Sequence, residues 1–153
     1  MSGTVGSGGG VPLAGGAGVC AAVAAALGAR GFADVFTSPP SAALCAEPIV
    51  LSCGEWERLA RLPDGRERGV QAVGVLACRD TPSEAEAACR AAEAALRGCA
   101  WEARLEGWRV RVAACDSGAP EPRGRDGSGR WLWGFDLLCT VVRDVEADTG
   151  TGA

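Results

Sequence analysis

The alternation of apolar and polar positions is clearest between residues 69 and 99. Residues 70–78 read VQAVGVLAC and are apolar at odd and even positions alike, which is typical of a strand buried on both faces. After this strand the apolar residues recur every three or four positions, so that they form one stripe along a helix. The stripe consists of Ala85, Ala88, Cys89, Ala92, Leu96 and Cys99. This change predicts a central strand that leads directly into an amphipathic helix.

Local signals mark both ends of that helix. Thr81 precedes Pro82 and is followed three residues later by Glu84, which is a capping box with proline at the first helical position. Gly98 is expected to end the helix. Because the stripe is nearly all alanine and cysteine, we expect close packing against the sheet. The exposed side is expected to carry two i,i+4 ion pairs, Glu86–Arg90 and Glu93–Arg97.

Patterns before the central strand predict one more helix and two more strands. Residues 13–29 favour a helix whose firm part is Val19 to Leu27 and which ends at Gly28 or Gly31. Residues 32–37 predict a short strand. Residues 48–62 predict a longer strand with Gly54 at a β-bulge, and the turn residues 63–66 join it to the central strand as a hairpin.

Patterns after the central helix predict two more strands. Residues 101–107 are expected to form a short connection, and residues 108–115 alternate as a strand. Residues 116–129 contain turn residues throughout and are expected to form a long loop. Residues 131–144, WLWGFDLLCTVVRD, predict the last and longest strand.

This order of elements predicts an α+β fold, with a mainly antiparallel sheet of four to five strands and two helices packed on one face. A single domain is expected over residues 13–144. Residues 1–12 are rich in glycine and serine and are expected to form a flexible arm. The polar, glycine-containing residues 145–153 are expected to be a frayed tail.

Composition limits the chemistry that the chain can perform. A net charge of −4 disfavours nucleic acid as the main partner, and the absence of histidine removes the commonest general base and metal ligand. Asp136 is interpreted as a hydrogen-bonded or interface acid. We therefore expect no catalytic residue, no metal and no cofactor. The longest apolar run, residues 19–27, is too short to span a membrane.

The chain contains eight cysteines but no CxxC pair, and it begins without the features of a secretory signal. Most of these cysteines fall on predicted core faces. They are interpreted as buried, reduced thiols that act as small hydrophobic residues. Titration of the denatured chain is accordingly expected to find all eight free.

The layout resembles the tail-terminator proteins of long-tailed bacteriophages, a group that includes proteins labelled minor capsid proteins. The resemblance covers residues 13–144. It rests on the order and character of three segments: the helix TPSEAEAACRAAEAALRG, the strand WRVRVAAC with its glycine- and charge-rich continuation, and the closing strand WLWGFDLLCTVVRD.

The resemblance implies a structural virion protein without enzymatic activity. Such proteins form a ring, usually of six copies, at the head-proximal end of the tail, where they stop polymerisation of the tube and join the tail to the head. The implied partners are further copies of the chain, the tail tube protein and a head-completion or connector protein, with DNA able to pass through the ring lumen. Assembly would take place in the cytoplasm of a bacterial host.

Charged residues at two predicted extensions are the candidate interface. Arginine is favoured at interfaces because its planar guanidinium binds carboxylates through two hydrogen bonds. A solvated hairpin turn, balanced by Glu57, Asp64 and Glu67, is the alternative. The candidates are Arg58, Arg61, Arg66 and Arg68 on the hairpin, and Arg123, Arg125 and Asp126 in the long loop.

Other functions are compatible with the same pattern. A head–tail connector, a neck protein or a tail-tube subunit shares the size, the sheet-plus-helix composition and the ring assembly of a tail terminator. A small α+β ligand-binding or enzyme domain and a cellular adaptor module are the remaining alternatives. A cleft with converging polar groups would favour the ligand-binding or enzyme domain.

Overall fold

The structure is a computed structural model that describes residues 15–41, 43–97, 101–105 and 108–143. The predicted N-terminal arm (residues 1–12), the predicted C-terminal tail (145–153) and the residues Gly98 and Cys99 lie outside this part of the chain.

Two helices and a seven-stranded sheet make up the described part of the chain. The helices are α1 (Gly15–Ala29) and α2 (Pro82–Leu96). The strands are β1 (Val35–Phe36), β2 (Ile49–Arg61), β3 (Glu67–Arg79), β4 (Trp101–Leu105), β5 (Trp108–Ser117), β6 (Glu121–Arg125) and β7 (Trp131–Arg143).

The strand order is β1–β2–β3–β7–β5–β4, and β6 pairs with β7 beyond the end of β5. Every pairing is antiparallel except that of β1 with β2. The predicted α+β class is therefore confirmed. The sheet has more strands than predicted, because residues 101–105 and 121–125 also join it.

The prediction of a long loop over residues 116–129 is wrong. Strand β5 continues to Ser117, the Gly118 N–H donates to the Asp136 carbonyl at 2.9 Å, and β6 resumes the pairing with β7. The segment therefore follows one edge of β7 almost throughout. Only residues 126–130 form a tight turn, in which Asp126 N–H donates to the Arg130 carbonyl at 2.9 Å.

The core lies between the helices and one face of the sheet. From β3 and β7 this face presents Val73, Val75, Ala77, Phe135, Leu137, Cys139 and Val141, all nearly inaccessible to solvent. Helix α1 covers it with Val19, Cys20, Val23 and Leu27, and α2 covers it with Ala85, Cys89, Ala92 and Leu96. Both helices thus pack on the same face, as the sequence predicts.

Helix α1 ends in a Schellman motif at Gly31, one of the two predicted ends. Gly31 has φ +93°, and its N–H donates to the Gly28 carbonyl at 3.1 Å. The Phe32 N–H donates to the Leu27 carbonyl at 3.1 Å, so two terminal carbonyls of the helix are satisfied.

Helix α2 begins as predicted, and both of its predicted i,i+4 ion pairs are present, Glu86 with Arg90 and Glu93 with Arg97 at 3.4 Å. Thr81 caps the helix by accepting from the Glu84 N–H at 3.2 Å, and Glu86 pairs with Arg90 at 2.9 Å. Glu93, however, does not lie on the exposed side. It is buried against β5, where its carboxylate accepts a 2.6 Å hydrogen bond from the Ser117 hydroxyl.

The predicted hairpin and β-bulge are both present. The Leu62 N–H donates to the Arg66 carbonyl at 2.8 Å, and Gly65 adopts φ +92° in the turn. The register of β2 against β3 shifts between Cys53 and Trp56. The Nε2 of fully buried Gln71 donates to the Gly54 carbonyl at 2.9 Å, which holds this bulge in place.

All cysteines in the described residues are free, and five of them are buried: Cys20, Cys78, Cys89, Cys115 and Cys139. Cys45 is half-buried and Cys53 is exposed, so the prediction of buried thiols is wrong for Cys53. Neither described helix has the length and apolar character that a membrane span requires.

The close pairing of β2 with β3 predicts a large effect of adding one methyl group at Gly69. A Cβ there would overlap the Glu57 carbonyl oxygen and come within 2.8 Å of the Trp56 indole ring. We expect Gly69→Ala to lower the free energy of unfolding by about 1–3 kcal/mol in urea titrations. A Cβ at Gly127 meets nothing within 4 Å, so Gly127→Ala is the control and should change little. Equal effects of the two substitutions would contradict the pairing.

Candidate assembly surface

The structure separates the predicted interface residues into two groups at opposite ends of the sheet. Strands β3 and β7 pair without interruption from Glu67 opposite Arg143 to Arg79 opposite Trp131. The β2–β3 turn adjoins the first end, and the β6–β7 turn adjoins the second. At about 3.3 Å per residue, the two turns are about 40 Å apart.

A cluster of arginines around Glu67 forms the first end, which we call the Glu67 cluster (Arg58, Arg61, Glu67 and Arg143). The Glu67 carboxylate contacts Arg58 at 3.4 Å, Arg61 at 3.5 Å and Arg143 at 3.2 Å. Its side chain is 12% exposed. Three guanidinium groups around one carboxylate leave this end with an excess of positive charge.

Arg143 is the buried member of the cluster, with a side chain 12% exposed. It donates through Nε and Nη2 to one Glu67 oxygen at 3.3 and 3.2 Å. Its guanidinium also lies 3.7 Å from the centroid of the Trp56 ring, a cation–π geometry. These contacts join β2, β3 and β7 at this end of the sheet.

Arg58 and Arg61 are the accessible members of the cluster. Their side chains are 52% and 53% exposed, although each contacts Glu67. Exposed ion pairs of this kind contribute about 0–1 kcal/mol each. Both guanidinium groups can therefore add or exchange a carboxylate partner at little cost to the fold.

Arg66 is tied to the turn itself. Asp64 accepts from the Arg66 backbone N–H at 3.0 Å and from its Nε at 2.7 Å. The backbone hydrogen bond is the main reason that the pKa of Asp64 is lowered, with the side-chain bond adding to the effect. This pair organises the turn and cancels its own charge.

Arg68 lies on the opposite face of the sheet from the helices. It stands opposite Ala60 of β2 and Val142 of β7, and its side chain is exposed. Among the described residues, no hydrogen bond or ion pair joins the Arg68 side chain to another group. The four predicted arginines of the hairpin therefore differ: two share Glu67, one holds the turn, and one faces away.

The second group lies at the β6–β7 hairpin. Asp126 accepts from the backbone N–H groups of Ser128 and Arg130 at 2.9 Å each, and from Arg130 Nε at 2.7 Å. Partial burial raises the pKa of Asp126, but these hydrogen bonds outweigh it and the pKa is lowered. Asp126 is thus the organiser of the turn.

Arg125 and Arg123 are the outward-facing members of this second group. Arg125 donates to the Gly129 carbonyl at 3.0 Å and lies 4.7 Å from the centroid of the Trp131 ring. Arg123 pairs with Glu121 at 3.2 Å on an exposed strand. Neither side chain is buried, so both are available for contacts with another molecule.

Arg130 fastens the second hairpin to the rest of the fold. Its Nη1 donates to the carbonyls of Cys45 and Ala46 at 3.0 and 3.4 Å, while its Nε holds Asp126. Local sequence patterns do not single out this residue, and they do not indicate that Arg143 reaches Glu67. The signal in each case is a charged residue next to a strand end or turn.

The outer edge of the sheet is partly unpaired but carries features that limit strand addition. Strand β1 pairs only with Ile49 and Val50, so no described strand pairs with the outer edge of β2 from Leu51 to Arg61. This edge nevertheless carries two register shifts and several charged residues. Such features protect edges from indiscriminate pairing, so specific side-chain contacts are favoured over simple strand addition.

The acidic and cysteine side chains do not assemble a metal site in the described part of the chain. Within the described residues, no group of three or more cysteine, aspartate or glutamate side chains could hold a metal ion. Asp136 is exposed, and its backbone carbonyl accepts the Gly118 N–H. The arrangement at both ends of the sheet is suited to binding charged surfaces.

Comparison with known proteins finds similar folds among solved structures. No protein-family model matches the chain, and no curated protein sequence matches it. A chain from the virion of a native gene transfer agent particle is 20% identical, with a TM-score of 0.49 over 80% of this chain and 85% of that one. Similarity at this level does not assign a function.

The Glu67 cluster generates a prediction about stability. Glu67→Gln removes the charge that three arginines share, and we expect it to lower the free energy of unfolding by about 1–3 kcal/mol. Glu57→Gln is the matched control, because Glu57 is exposed on the same hairpin and should change stability by less than about 0.5 kcal/mol. Urea unfolding measures both. Equal losses would show that the cluster does not hold the strands together.

Proposed function

We propose that this chain is a structural protein of a phage-like virion, in which it forms a ring at the head-proximal end of the tail. The ring would stop polymerisation of the tail tube and join the tail to the head. The observation that supports this proposal most directly is the placement of two charged hairpins at opposite ends of one sheet.

A ring between a tube and a head must contact a different neighbour on each side. The two hairpins are separated by the full length of β3 and β7, about 40 Å. Each is held rigidly by its own network, around Glu67 and Asp64 at one end and around Asp126 at the other. One subunit therefore offers two independent, preorganised contact surfaces.

Charge suggests which surface each end would bind. The Glu67 cluster has three arginines for one carboxylate, and two of these arginines are half-exposed. It would bind an acidic surface of a neighbouring subunit, of the tube protein or of a head-completion protein. The chain as a whole carries a net charge of −4, and a further copy of it would offer exposed carboxylates such as Glu47, Glu55 and Glu84.

Ring closure itself requires only a head-to-tail interface that repeats with a closing rotation. Exposed Leu59 lies between Arg58 and Arg61 on β2, so an apolar contact there would be flanked by guanidinium groups. Six copies are the expected number. DNA passing through the lumen would need no specific contact with this acidic protein.

Reversing two charges at the first end tests the proposal. We expect the Arg61→Glu, Arg66→Glu double variant to fold, because both side chains are partly exposed and their ion pairs contribute about 0–1 kcal/mol each. Particles assembled with it should show overlong tails or tails without heads by electron microscopy. Circular dichroism and thermal unfolding should remain close to those of the unmodified chain.

Arg90→Glu is the matched control, since Arg90 is 56% exposed and pairs with Glu86 on the outer side of α2. It should leave particle yield unchanged. Normal yield from the double variant would remove the first hairpin from the mechanism. A complete absence of tails, in place of overlong or unjoined ones, would instead favour a tube subunit.

A further inference from the structure

Two cysteines from different elements place their sulfur atoms in contact. The Sγ atoms of Cys20 in α1 and Cys53 in β2 are 3.2 Å apart. Cys20 is only 2% exposed, whereas Cys53 is exposed. One sulfur of the pair is therefore accessible to small reagents and the other is enclosed by the core.

The β-bulge explains why Cys53 is accessible. Regular pairing of β2 with β3 stops at Cys53 opposite Val73 and resumes at Trp56 opposite Gln71. The Gly54 carbonyl is fixed there by Gln71 Nε2 at 2.9 Å. The bulge places Cys53 at the rim of the surface that α1 covers, next to Cys20 but open to solvent.

The contact also changes the acidity of the exposed thiol. A hydrogen bond from the Cys20 thiol stabilises the Cys53 thiolate and lowers the pKa of Cys53 to about 7, against an opposing effect of desolvation. The same contact, together with burial, raises the pKa of Cys20. Thiolates are the nucleophilic form of cysteine, so Cys53 is the activated member of the pair.

We propose that Cys53 and Cys20 form a thiol–disulfide exchange site, in which Cys53 attacks a small-molecule disulfide and Cys20 resolves the product into an intrachain disulfide. The proposal stands on the contact between the two sulfurs and on their unequal exposure. It is independent of the function proposed above.

The reaction balances in two exchanges. The Cys53 thiolate attacks one sulfur of the small disulfide, so that a new S–S bond forms, the old one breaks and one small thiolate leaves. Cys20 then loses its proton to that thiolate and attacks the Cys53 sulfur, releasing the second small thiolate, which takes a proton from solvent. Two protein thiols are oxidised and the small disulfide is reduced to two thiols.

A second cysteine pair in the same sheet provides an internal comparison. Cys115 and Cys139 lie opposite each other on β5 and β7 with their Sγ atoms 3.8 Å apart. Both are buried, at 3% and 0% exposure. The two sulfurs of this pair are close together, but solvent and small reagents do not reach them. The pair should therefore stay reduced under conditions that oxidise Cys20 and Cys53.

Incubation of the full native chain with oxidised glutathione tests the proposal. We expect the loss of two of its eight thiols and one cross-linked peptide, joining Cys20 to Cys53, in peptide mapping without reductant. The bond links α1 to β2, so the melting temperature should rise by about 5–10 °C and return on reduction.

Variants separate the two roles. In the Cys20→Ser variant the reaction should stop at the mixed disulfide, with a single glutathione attached to Cys53. Cys20→Ala replaces this variant if the buried serine hydroxyl disturbs folding, and the same result is expected. Cys53→Ser should lose thiols at least about tenfold more slowly. Cys115→Ser is the control and should oxidise like the unmodified chain. A disulfide between other cysteines, including Cys20 with Cys139, or eight thiols retained by the folded chain would overturn the proposal.

The pH dependence of alkylation supplies an independent check. The groups around Cys53 come from three elements. Helix α1 contributes the titratable thiol of Cys20, and β3 contributes the uncharged residues Val73 and Gln71. Along β2 itself, the next acidic residue is Glu55. Reaction of Cys53 with iodoacetamide should reach half of its maximal rate near pH 7, because its pKa is lowered to about 7. A midpoint near 9, the ordinary value for a thiol, would contradict the activation of Cys53.

Discussion

The unbroken pairing of β3 with β7 is the constraint on which the rest of the structure depends. All thirteen residues of each strand are in register, from Glu67 opposite Arg143 to Arg79 opposite Trp131. This pairing supplies the middle of the core and places the two charged hairpins at opposite ends. It also brings Arg143 to Glu67 across 76 residues of sequence, which closes the charged cluster that we interpret as a contact surface.

Close packing on one face explains several features that are otherwise unrelated. The stripe of α2 consists of small residues such as Ala85, Cys89 and Ala92, so the helix approaches the sheet closely. As a result, Glu93 of the same helix is buried between the helix and the sheet. Serine at position 117 satisfies that carboxylate. On the other side of the core, α1 brings Cys20 to the bulge of β2, where the same close approach produces a reactive thiol pair.

Much of the fold can be predicted from the sequence, because many of its signals act over a few residues. Thr81 with Pro82 determines the start of α2, and Gly65 allows the hairpin turn. Both features can therefore be predicted from neighbouring residues in the sequence. Strand β6 is not found, since Pro122 and Gly124 resemble a loop and only pairing with β7 makes them a strand. The Glu67 cluster and the Cys20–Cys53 contact also depend on distant residues, so local patterns cannot reveal them.

The most direct test of the proposed role is a reconstruction, by electron cryomicroscopy, of the particle that contains this chain. Our account predicts a closed ring, most simply of six copies, at the junction of tail and head, with the β2–β3 turn against an acidic surface of a neighbouring subunit. A single isolated copy, or a ring whose two hairpins both face open solvent, would contradict it.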